Sequence, residues 1–312
     1  MIDTRKVAVI GCGFVGSACA FTLMQHGLFS EMVLIDLDQA RAEGEAMDIS
    51  HGLLFAKPMN IYAGTYADAA DADIAIVTAG ANQKPGETRL DLVRKNSKIL
   101  ISILDELKKS GFGGILLIVS NPVDILTRVA QKHSGLPEGR VFGSGTVLDT
   151  ARLKYLLGEH LSVDSRGVHA FIIGEHGDSE IAVWSSANVS GVPLHTFCEM
   201  RGFYDHDNAM REIGENVKNS AYAIIERKGA TYYGIAMAVQ RICEAVVRDE
   251  KSILPVSAAL HGEFRINDAT LSVPSVLGAN GVEKVVPISL SDDEVTRLRY
   301  SADMLKGIFA EL

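Results

Sequence analysis

The chain has 312 residues, of which 47% are hydrophobic, and it carries a formal net charge of -9. This length suits two packed domains, and the acidic balance argues against a general nucleic-acid surface, which would need a basic stripe. No apolar run reaches the ~20 residues of a membrane helix, and the N-terminus lacks the apolar core of a signal peptide. We therefore expect a cytoplasmic protein that contacts neither nucleic acid nor membrane.

The first half of the chain alternates short apolar strands with helical patterns. Compact runs rich in Val and Ile predict buried strands at 6–10, 32–35, 74–78 and 115–119. Helical patterns cover 15–26, 39–50, 91–110 and 123–134. This alternation predicts an α/β fold, a doubly wound parallel sheet with right-handed crossovers and helices on both faces.

The second half changes character and predicts a mixed α+β domain. Helices are expected at 150–159, 208–227 and 232–249, and strands at 168–173, 253–260, 271–277 and 282–287. Ser291 and Glu294 have the spacing of a capping box, which predicts the start of a last helix. We place the boundary near residue 145, giving domains 1–145 and 146–312. Since no linker separates the halves, we expect them to share a large interface.

A Gly-x-Gly-x-x-Gly turn, formed by Gly11, Gly13 and Gly16, follows the first strand. In dinucleotide-binding domains the first glycine makes the turn, the second lets the backbone approach a pyrophosphate, and the third lets the helix pack on the strand. Asp36 ends the next strand, where a carboxylate bonds ribose hydroxyls and repels the extra phosphate of NADP. The turn alone is weak evidence, and Asp36 could merely cap the next turn. The strand–turn–helix context predicts a Rossmann-type domain that binds NAD.

Four further polar segments carry more information, and the first of them follows a buried strand at the carboxyl end, where ligands bind in this fold. They are 78–89, a loop bracketed by Gly80 and Gly86 as hinges of a lid, and 120–124, 143–152 and 173–178. The four segments together resemble the L-lactate and L-malate dehydrogenase family. The resemblance runs from the glycine turn to the last helix, and it is far more specific than the turn alone.

The resemblance implies a set of roles for the reacting groups. His176 is expected to donate and accept the proton, and Asp149 to hold its other ring nitrogen. Arg152 would clamp the substrate carboxylate with two parallel N–H donors, although spacing alone would favour a surface salt bridge. Arg89 on the lid would polarise the carbonyl bond. The implied reaction is hydride transfer between nicotinamide C4 and substrate C2.

Further binding residues are carried over from the same family. Asn121 would donate a hydrogen bond to the substrate, and Asp124 and Thr231 belong to the substrate-binding set. Ile235 would pack against the nicotinamide ring. The remaining cofactor contacts implied by the resemblance are Gly11, Gly13, Val15, Gly16, Asp36, Arg41, Tyr66, Gly80, Ala81, Asn121 and Ser144.

Gln83 bears on the choice between lactate and malate. The malate dehydrogenases of this family have an arginine here, which pairs with the second carboxylate of oxaloacetate. A neutral Gln83 favours pyruvate, because an unpaired charge in a closed, dry site costs several kcal/mol. Lys84 is a confounding neighbour. Malate and a longer 2-oxo acid stay open as alternatives.

A regulatory site is also implied, with one departure. Bacterial lactate dehydrogenases of this type are often homotetramers activated by fructose bisphosphate, whose phosphates an arginine and a histidine bind. His169 matches the histidine, but Lys154 stands at the arginine position and offers only a point charge. We expect a weakened activator site, against the alternative of a solvated lysine and a strand histidine.

Two other classes of function compete with a dehydrogenase. A non-catalytic NADH sensor would need the glycine turn but not the four reacting groups together. A metal enzyme is disfavoured because the nine histidines and four cysteines show no His-x-x-x-His or Cys-x-x-Cys spacing. The sequence therefore favours a dehydrogenase without a metal.

Overall fold

The computed structural model describes residues 5–81, 86 and 88–312, and of residue 89 only the backbone. The strands there are β1 (Lys6–Ile10), β2 (Glu31–Ile35), β3 (Asn60–Ala63), β4 (Ile74–Val77), β5 (Ile115–Ile118), β6 (Val141–Gly143), β7 (Val168–Ile173), β8 (Ile181–Val189), β9 (Val192–Pro193), β10 (Ser252–His261), β11 (Asn267–Gly278) and β12 (Gly281–Val285). The α-helices there are α1 (Phe14–His26), α2 (Gln39–His51), α3 (Arg89–Ser110), α4 (Val123–His133), α5 (Val147–Leu161), α6 (Leu194–Met200), α7 (His206–Lys228), α8 (Tyr233–Val247) and α9 (Asp292–Ala310).

Six parallel strands form the first part of a nine-stranded sheet, in the order β6-β5-β4-β1-β2-β3. The order reverses at β1, which lies between β2 and β4, so the loops that follow these strands leave for opposite faces. The predicted doubly wound fold is confirmed. Antiparallel strands β10, β11 and β12 extend the same sheet beyond β6, and β7, β8 and β9 form a second sheet.

The central strands are buried because helices cover both faces of the sheet. Side chains alternate between the faces along a strand. Val7 and Val9 pack in one cluster with α1 and α8, whereas Ala8 and Ile10 pack in another with α3 and α4. Since α8 belongs to the second half of the chain and α1 to the first, the two halves share one core on that face.

Several short elements escaped the sequence prediction. Strand β6 has only three residues, and β3 has four, of which Asn60 is exposed. Strand β8 was missed because Ser185 and Ser186 interrupt its apolar run, and α6 and β9 were missed as well.

The helix termini agree with local capping chemistry. Ser291 and Glu294 form the predicted capping box at the start of α9. The Glu294 side chain also accepts hydrogen bonds from the backbone N–H groups of Trp184 and Ser185, which fastens α9 to β8. Within the described part of the chain, no helix combines the length and apolarity needed to span a membrane.

Candidate active site

The glycine turn lies where β1 and β4 end side by side. Gly11 has φ +99°, and a Cβ there would lie 2.6 Å from the backbone nitrogen of Ala79. At Gly16 a Cβ would lie 1.8 Å from the carbonyl oxygen of Gly11, so the close packing of α1 on the turn requires glycine. The Thr78 hydroxyl donates to the same carbonyl at 2.7 Å and joins the two strand exits.

Gly13 differs from its two neighbours because it faces open space. A Cβ at Gly13 would meet nothing within 4 Å among the described residues. Gly13 is also the N-cap of α1 and forms no side-chain cap, so the first N–H groups of the helix lack intrahelical acceptors. Open space in front of a helix N-terminus fits a pyrophosphate, since N–H groups and the helix dipole both favour an anion there.

Asp36 joins the end of β2 to the glycine turn. Its carboxylate accepts hydrogen bonds from the N–H groups of Cys12 at 2.6 Å and Asp38 at 2.9 Å. Each carboxylate oxygen has a further lone pair, which fits a ribose hydroxyl donor. The capping contact and a binding role are therefore compatible. Nearby, the Arg41 side chain is exposed on α2, and burial together with the charges of Glu106 and Asp36 raises the pKa of Tyr66.

Asn96 was not identified from the sequence, although it holds two of the predicted loops. Its side chain on α3 is buried, and its amide oxygen accepts from the N–H of Ala81 at 2.8 Å. Its amide nitrogen donates to the carbonyls of Asn121 at 2.9 Å and Ala81 at 3.3 Å. The exits of β4 and β5 are thus fixed to each other through one side chain.

His176, Asp149 and Arg152 come together as the resemblance implied. The ring nitrogen Nδ1 of His176 lies 2.5 Å from Oδ2 of Asp149, and Nη1 of Arg152 donates to Oδ1 at 2.8 Å. Because α5 begins at Val147, Asp149 and Arg152 lie one turn apart on the same helix face. The Asp149 side chain is 3% exposed, that of Arg152 14% and that of His176 27%.

Electrostatics keep Asp149 charged and His176 protonated at neutral pH. Burial raises the pKa of Asp149, but the charge and hydrogen bond of His176 and the charge of Arg152 outweigh burial and place it below its usual range. Burial lowers the pKa of His176, but the charge and hydrogen bond of Asp149 outweigh it and raise the pKa to about 9. A protonated imidazole at this position can donate a proton.

Asp124 holds the backbone of His176. Its buried carboxylate accepts from the N–H of His176 at 2.7 Å and from the hydroxyls of Ser257 at 2.5 Å and Ser272 at 2.9 Å. Burial raises the pKa of Asp124, and these hydrogen bonds only partly oppose that effect. The two serines lie more than a hundred residues away in sequence, so no local pattern predicts them.

The start of α1 packs against the start of α8, near the predicted residues Thr231 and Ile235. Phe14 stacks on Tyr232 with ring centroids 5.6 Å apart, so the start of α1 lies beside the residue that follows Thr231. Ile235 is partly buried against the core cluster that also takes in α1, as is Val15. Ser144 is buried, and its N–H donates to the carbonyl of Ile118 at 2.8 Å.

Some predicted residues lie outside the described part of the chain. They are Gln83, its neighbour Lys84 and the side chain of Arg89. Gly80, at the start of the same loop, is described and would place a Cβ 3.6 Å from Asn96. Of the predicted activator pair, Lys154 is half-buried on α5, where burial lowers its pKa, and His169 is exposed on β7.

The comparisons with known proteins agree over the whole chain. The family model for the lactate/malate dehydrogenase NAD binding domain matches residues 5–143, and the model for the lactate/malate dehydrogenase alpha/beta C-terminal domain matches 146–312. An L-lactate dehydrogenase of Priestia megaterium is 54% identical over 303 residues, covering 97% of this chain and 95% of the relative. One of Acetivibrio thermocellus is 52% identical over 308 residues, covering 99% and 97%.

Solved structures agree as well. The minor L-lactate dehydrogenase of Enterococcus mundtii in its ligands-bound form superposes with a TM-score of 0.95 at 44% identity, covering 99% of this chain and 98% of that one. MGS-M5, a lactate dehydrogenase enzyme from a Medee basin deep-sea metagenome library, has the same TM-score and identity, covering 98% of each chain.

Proposed function

The chain belongs to the lactate/malate dehydrogenase family, and from this premise we propose that it is an L-lactate dehydrogenase that reduces pyruvate reversibly to L-lactate with NADH. The observation that carries the proposal is the group formed by His176, Asp149 and Arg152. It combines a proton donor with a cation suited to a carboxylate, the two features that a 2-oxo acid requires.

His176 transfers the proton in this proposal. Protonated His176 donates a hydrogen bond to the carbonyl oxygen of pyruvate. In the direction of pyruvate reduction it transfers this proton to that oxygen as the alcohol forms. Asp149 fixes the ring orientation and stabilises the imidazolium, as in any His–carboxylate pair. Asp124 belongs to the proposed substrate-binding set, and by accepting from the N–H of His176 it also positions the loop that carries His176.

Arg152 and the lid residues bind and polarise the substrate. Arg152 gives one nitrogen to Asp149, which holds the guanidinium plane while the other donors serve the substrate carboxylate. Arg89 polarises the carbonyl group when the loop closes, and Asn121 donates a further hydrogen bond. Thr231 lines the pocket, and Gln83 favours the methyl group of pyruvate over a second carboxylate.

NAD, when bound, supplies the hydride chemistry. The residues that would hold it are the glycine turn with Val15 at its pyrophosphate, and Asp36 and Arg41 at its adenosine half. Tyr66, Gly80, Ala81, Ser144 and Ile235 complete the proposed set of contacts. The protein contributes alignment of the reacting atoms and exclusion of water.

We also propose a homotetramer acting in the cytoplasm, in the glycolytic and fermentative use of pyruvate. Two exposed apolar side chains lie in the short 3₁₀ turn that follows α2, Leu54 at 86% and Phe55 at 88% exposure, and they support a subunit contact that covers them. The domain boundary is proposed near residue 145, between β6 and α5. At Lys154 and His169 we propose a weakened fructose bisphosphate site, which fails if the sugar changes neither pyruvate kinetics nor tetramer stability.

Parallel steady-state assays with pyruvate and oxaloacetate test the function. An unpaired buried carboxylate costs several kcal/mol, so we expect kcat/KM to favour pyruvate by at least ~100-fold. A preference for oxaloacetate would overturn the substrate assignment and direct attention to Lys84. Activity with neither would indicate a bulkier 2-oxo acid or a sensor, and His176→Ala separates these, because a sensor keeps its function.

A further inference from the structure

A second carboxylate lies beside the His176–Asp149 pair. One carboxylate oxygen of Glu180, one ring nitrogen of His176 and one oxygen of Asp149 lie within 4.8 Å of one another. The N–H of Glu180 donates to the carbonyl of Gly177 at 3.2 Å, so the turn between β7 and β8 folds Glu180 back toward His176. Neither the sequence pattern nor the resemblance assigned this residue a role.

One oxygen of the Glu180 side chain takes no part in the hydrogen bonds that join the described residues. Its Oε1 atom is buried and has no hydrogen-bond partner among the residues that the structure describes. Buried polar atoms are nearly always paired, because an unpaired one costs free energy, and the exceptions concentrate at functional sites. By contrast, the nearby Glu294 carboxylate is fully used in capping α9 and fastening β8.

We propose that Glu180 is a positioning residue whose charge state decides how firmly His176 holds the proton that it transfers. The inference rests on the proposed function, which gives His176 that transfer. Glu180 acts through His176 and touches neither substrate nor cofactor in this proposal.

The charges that face Glu180 come from three elements. Asp149 and Arg152 lie on α5, His176 on the loop after β7, and Lys218 on α7. Burial, and then the charge of Asp149, raise the pKa of Glu180 to about 8 against the opposing effect of the three cations. Asp124 on α4 adds a further negative charge that acts on His176.

The pKa of Glu180, about 8, and that of His176, about 9, set the direction in which Glu180 changes proton transfer. Below about pH 8 Glu180 is neutral, and Asp149 is the nearest charge that balances the imidazolium. As the pH rises, Glu180 ionises no more than 4.8 Å from the ring, and the second negative charge makes the His176 proton harder to remove. Pyruvate reduction, which needs that proton, therefore extends to higher pH, and lactate oxidation, which needs a neutral ring, begins later.

Glu180 also has a route for exchanging its own proton. It lines a cavity of about 800 Å³ bounded by Trp184 on β8, Met210 on α7 and Tyr300 on α9. A carboxyl group that lines this cavity can exchange its proton with water there.

The experiment is the dependence of kcat/KM for pyruvate on pH, from about pH 6 to about 10, in the wild-type protein and in Glu180→Gln. For charges 4.8 Å apart, an effective dielectric constant between ~80 and ~20 predicts that Glu180→Gln lowers the pH of the alkaline limb by about 0.6 to 2.5. At about pH 6.5 the kcat/KM of Glu180→Gln should stay within about twofold of the wild-type value, because residue 180 is neutral at that pH in both proteins.

Two variants control for structure. Glu180→Asp keeps the charge and should keep the alkaline limb close to that of the wild-type protein. Glu215→Gln makes the same chemical change at an exposed residue that lines the same cavity, and should leave the limb unmoved. An unmoved limb in folded Glu180→Gln overturns the proposal, and so does an equal shift in Glu215→Gln.

A second readout does not need catalysis. The rate at which diethyl pyrocarbonate modifies His176, followed by peptide mass spectrometry against pH, reports its protonation in the free protein. Glu180→Gln should move this profile to lower pH as well, and an unchanged profile overturns the proposal even if the variant has lost activity. If the wild-type protein is inactive with pyruvate, the proposed function is overturned. If Glu180→Gln still moves the modification profile to lower pH in that case, the coupling of Glu180 to His176 stands.

Discussion

Replacing Asp149 with Asn removes the charge that the imidazole and the guanidinium share. The Asp149 carboxylate is 2% exposed, with His176 Nδ1 at 2.5 Å on one oxygen and Arg152 at 2.8 Å on the other. An asparagine keeps the shape but not the charge. The variant therefore tests whether this carboxylate keeps His176 protonated.

The magnitude follows from the pKa of His176. Asp149 is the largest of the effects that raise that pKa from 6.5 to about 9 against burial, and the charges of Asp124 and Glu180 add to it. The whole difference is worth ~3 kcal/mol at 1.36 kcal/mol per pH unit. Without this largest contribution the pKa should fall toward 6.5, and a full fall to 6.5 would lower the protonated fraction at about pH 7.5 from about 0.97 to about 0.1. Loss of ring orientation adds to this, and we expect kcat/KM for pyruvate to fall by between ~10² and ~10⁴.

The assay is NADH oxidation with pyruvate over a pH series, which should also show the alkaline limb of Asp149→Asn more than one pH unit lower. Asp164→Asn is the matched control, since Asp164 forms an exposed pair with Arg166 and should leave activity and limb unchanged. An Asp149→Asn protein with kcat/KM within about threefold of the wild type and a limb still near 9 would refute the reasoning.

Three further predictions concern the same site. Lactate oxidation needs neutral His176, so its kcat/KM should rise as the pH passes through about 9, and a profile already flat at neutral pH would contradict the pKa assigned here. Gly16→Ala puts a Cβ 1.8 Å from a carbonyl oxygen and should destabilise the fold by at least ~2 kcal/mol in thermal melts. The Cβ of Gly13→Ala meets open space, so this variant should melt like the wild type but bind NADH at least ~10-fold more weakly in a fluorescence titration. Asn96→Ala loses three hydrogen bonds and leaves buried backbone groups unpaired. In urea unfolding it should therefore lower the free energy of unfolding by ~2–4 kcal/mol, and it should raise the KM for NADH. A stability within ~0.5 kcal/mol of the wild type would argue against the bridging role of Asn96.

The sequence predicts those parts of the fold in which local pattern and tertiary environment agree. Strands β4 and β5 are apolar throughout, and β1 and β2 are apolar after their first residue, because helices cover both faces of the sheet. Continuous apolar runs reveal such strands. Strands β3 and β6 are too short for a run, and pairing with a neighbour defines them instead. The contact between Asp149 and Arg152 depends on local geometry alone, because residues three apart share one face of a helix.

The rest of the site depends on contacts between residues that are distant in sequence. The hydroxyls that hold Asp124 come from β10 and β11, and Asn96 bridges loops on either side of it in sequence. No sequence motif marks these serines or Asn96, because a buried serine or asparagine resembles any other until the fold supplies its partner. Glu180 is the clearest case, since only the turn that returns it to His176 gives its carboxylate an electrostatic role.

The central claim is that the chain delivers a hydride and a proton to pyruvate, with His176 as the proton donor. The most direct measurement is the product formed from pyruvate and NADH carrying deuterium at both C4 positions, analysed by NMR and with an enantiomer-specific assay. We expect L-lactate with one deuterium at C2 in the wild-type protein, and loss of at least ~10²-fold in its rate of formation in His176→Ala. Lactate without deuterium, the D enantiomer, or an undiminished rate in His176→Ala would contradict the account.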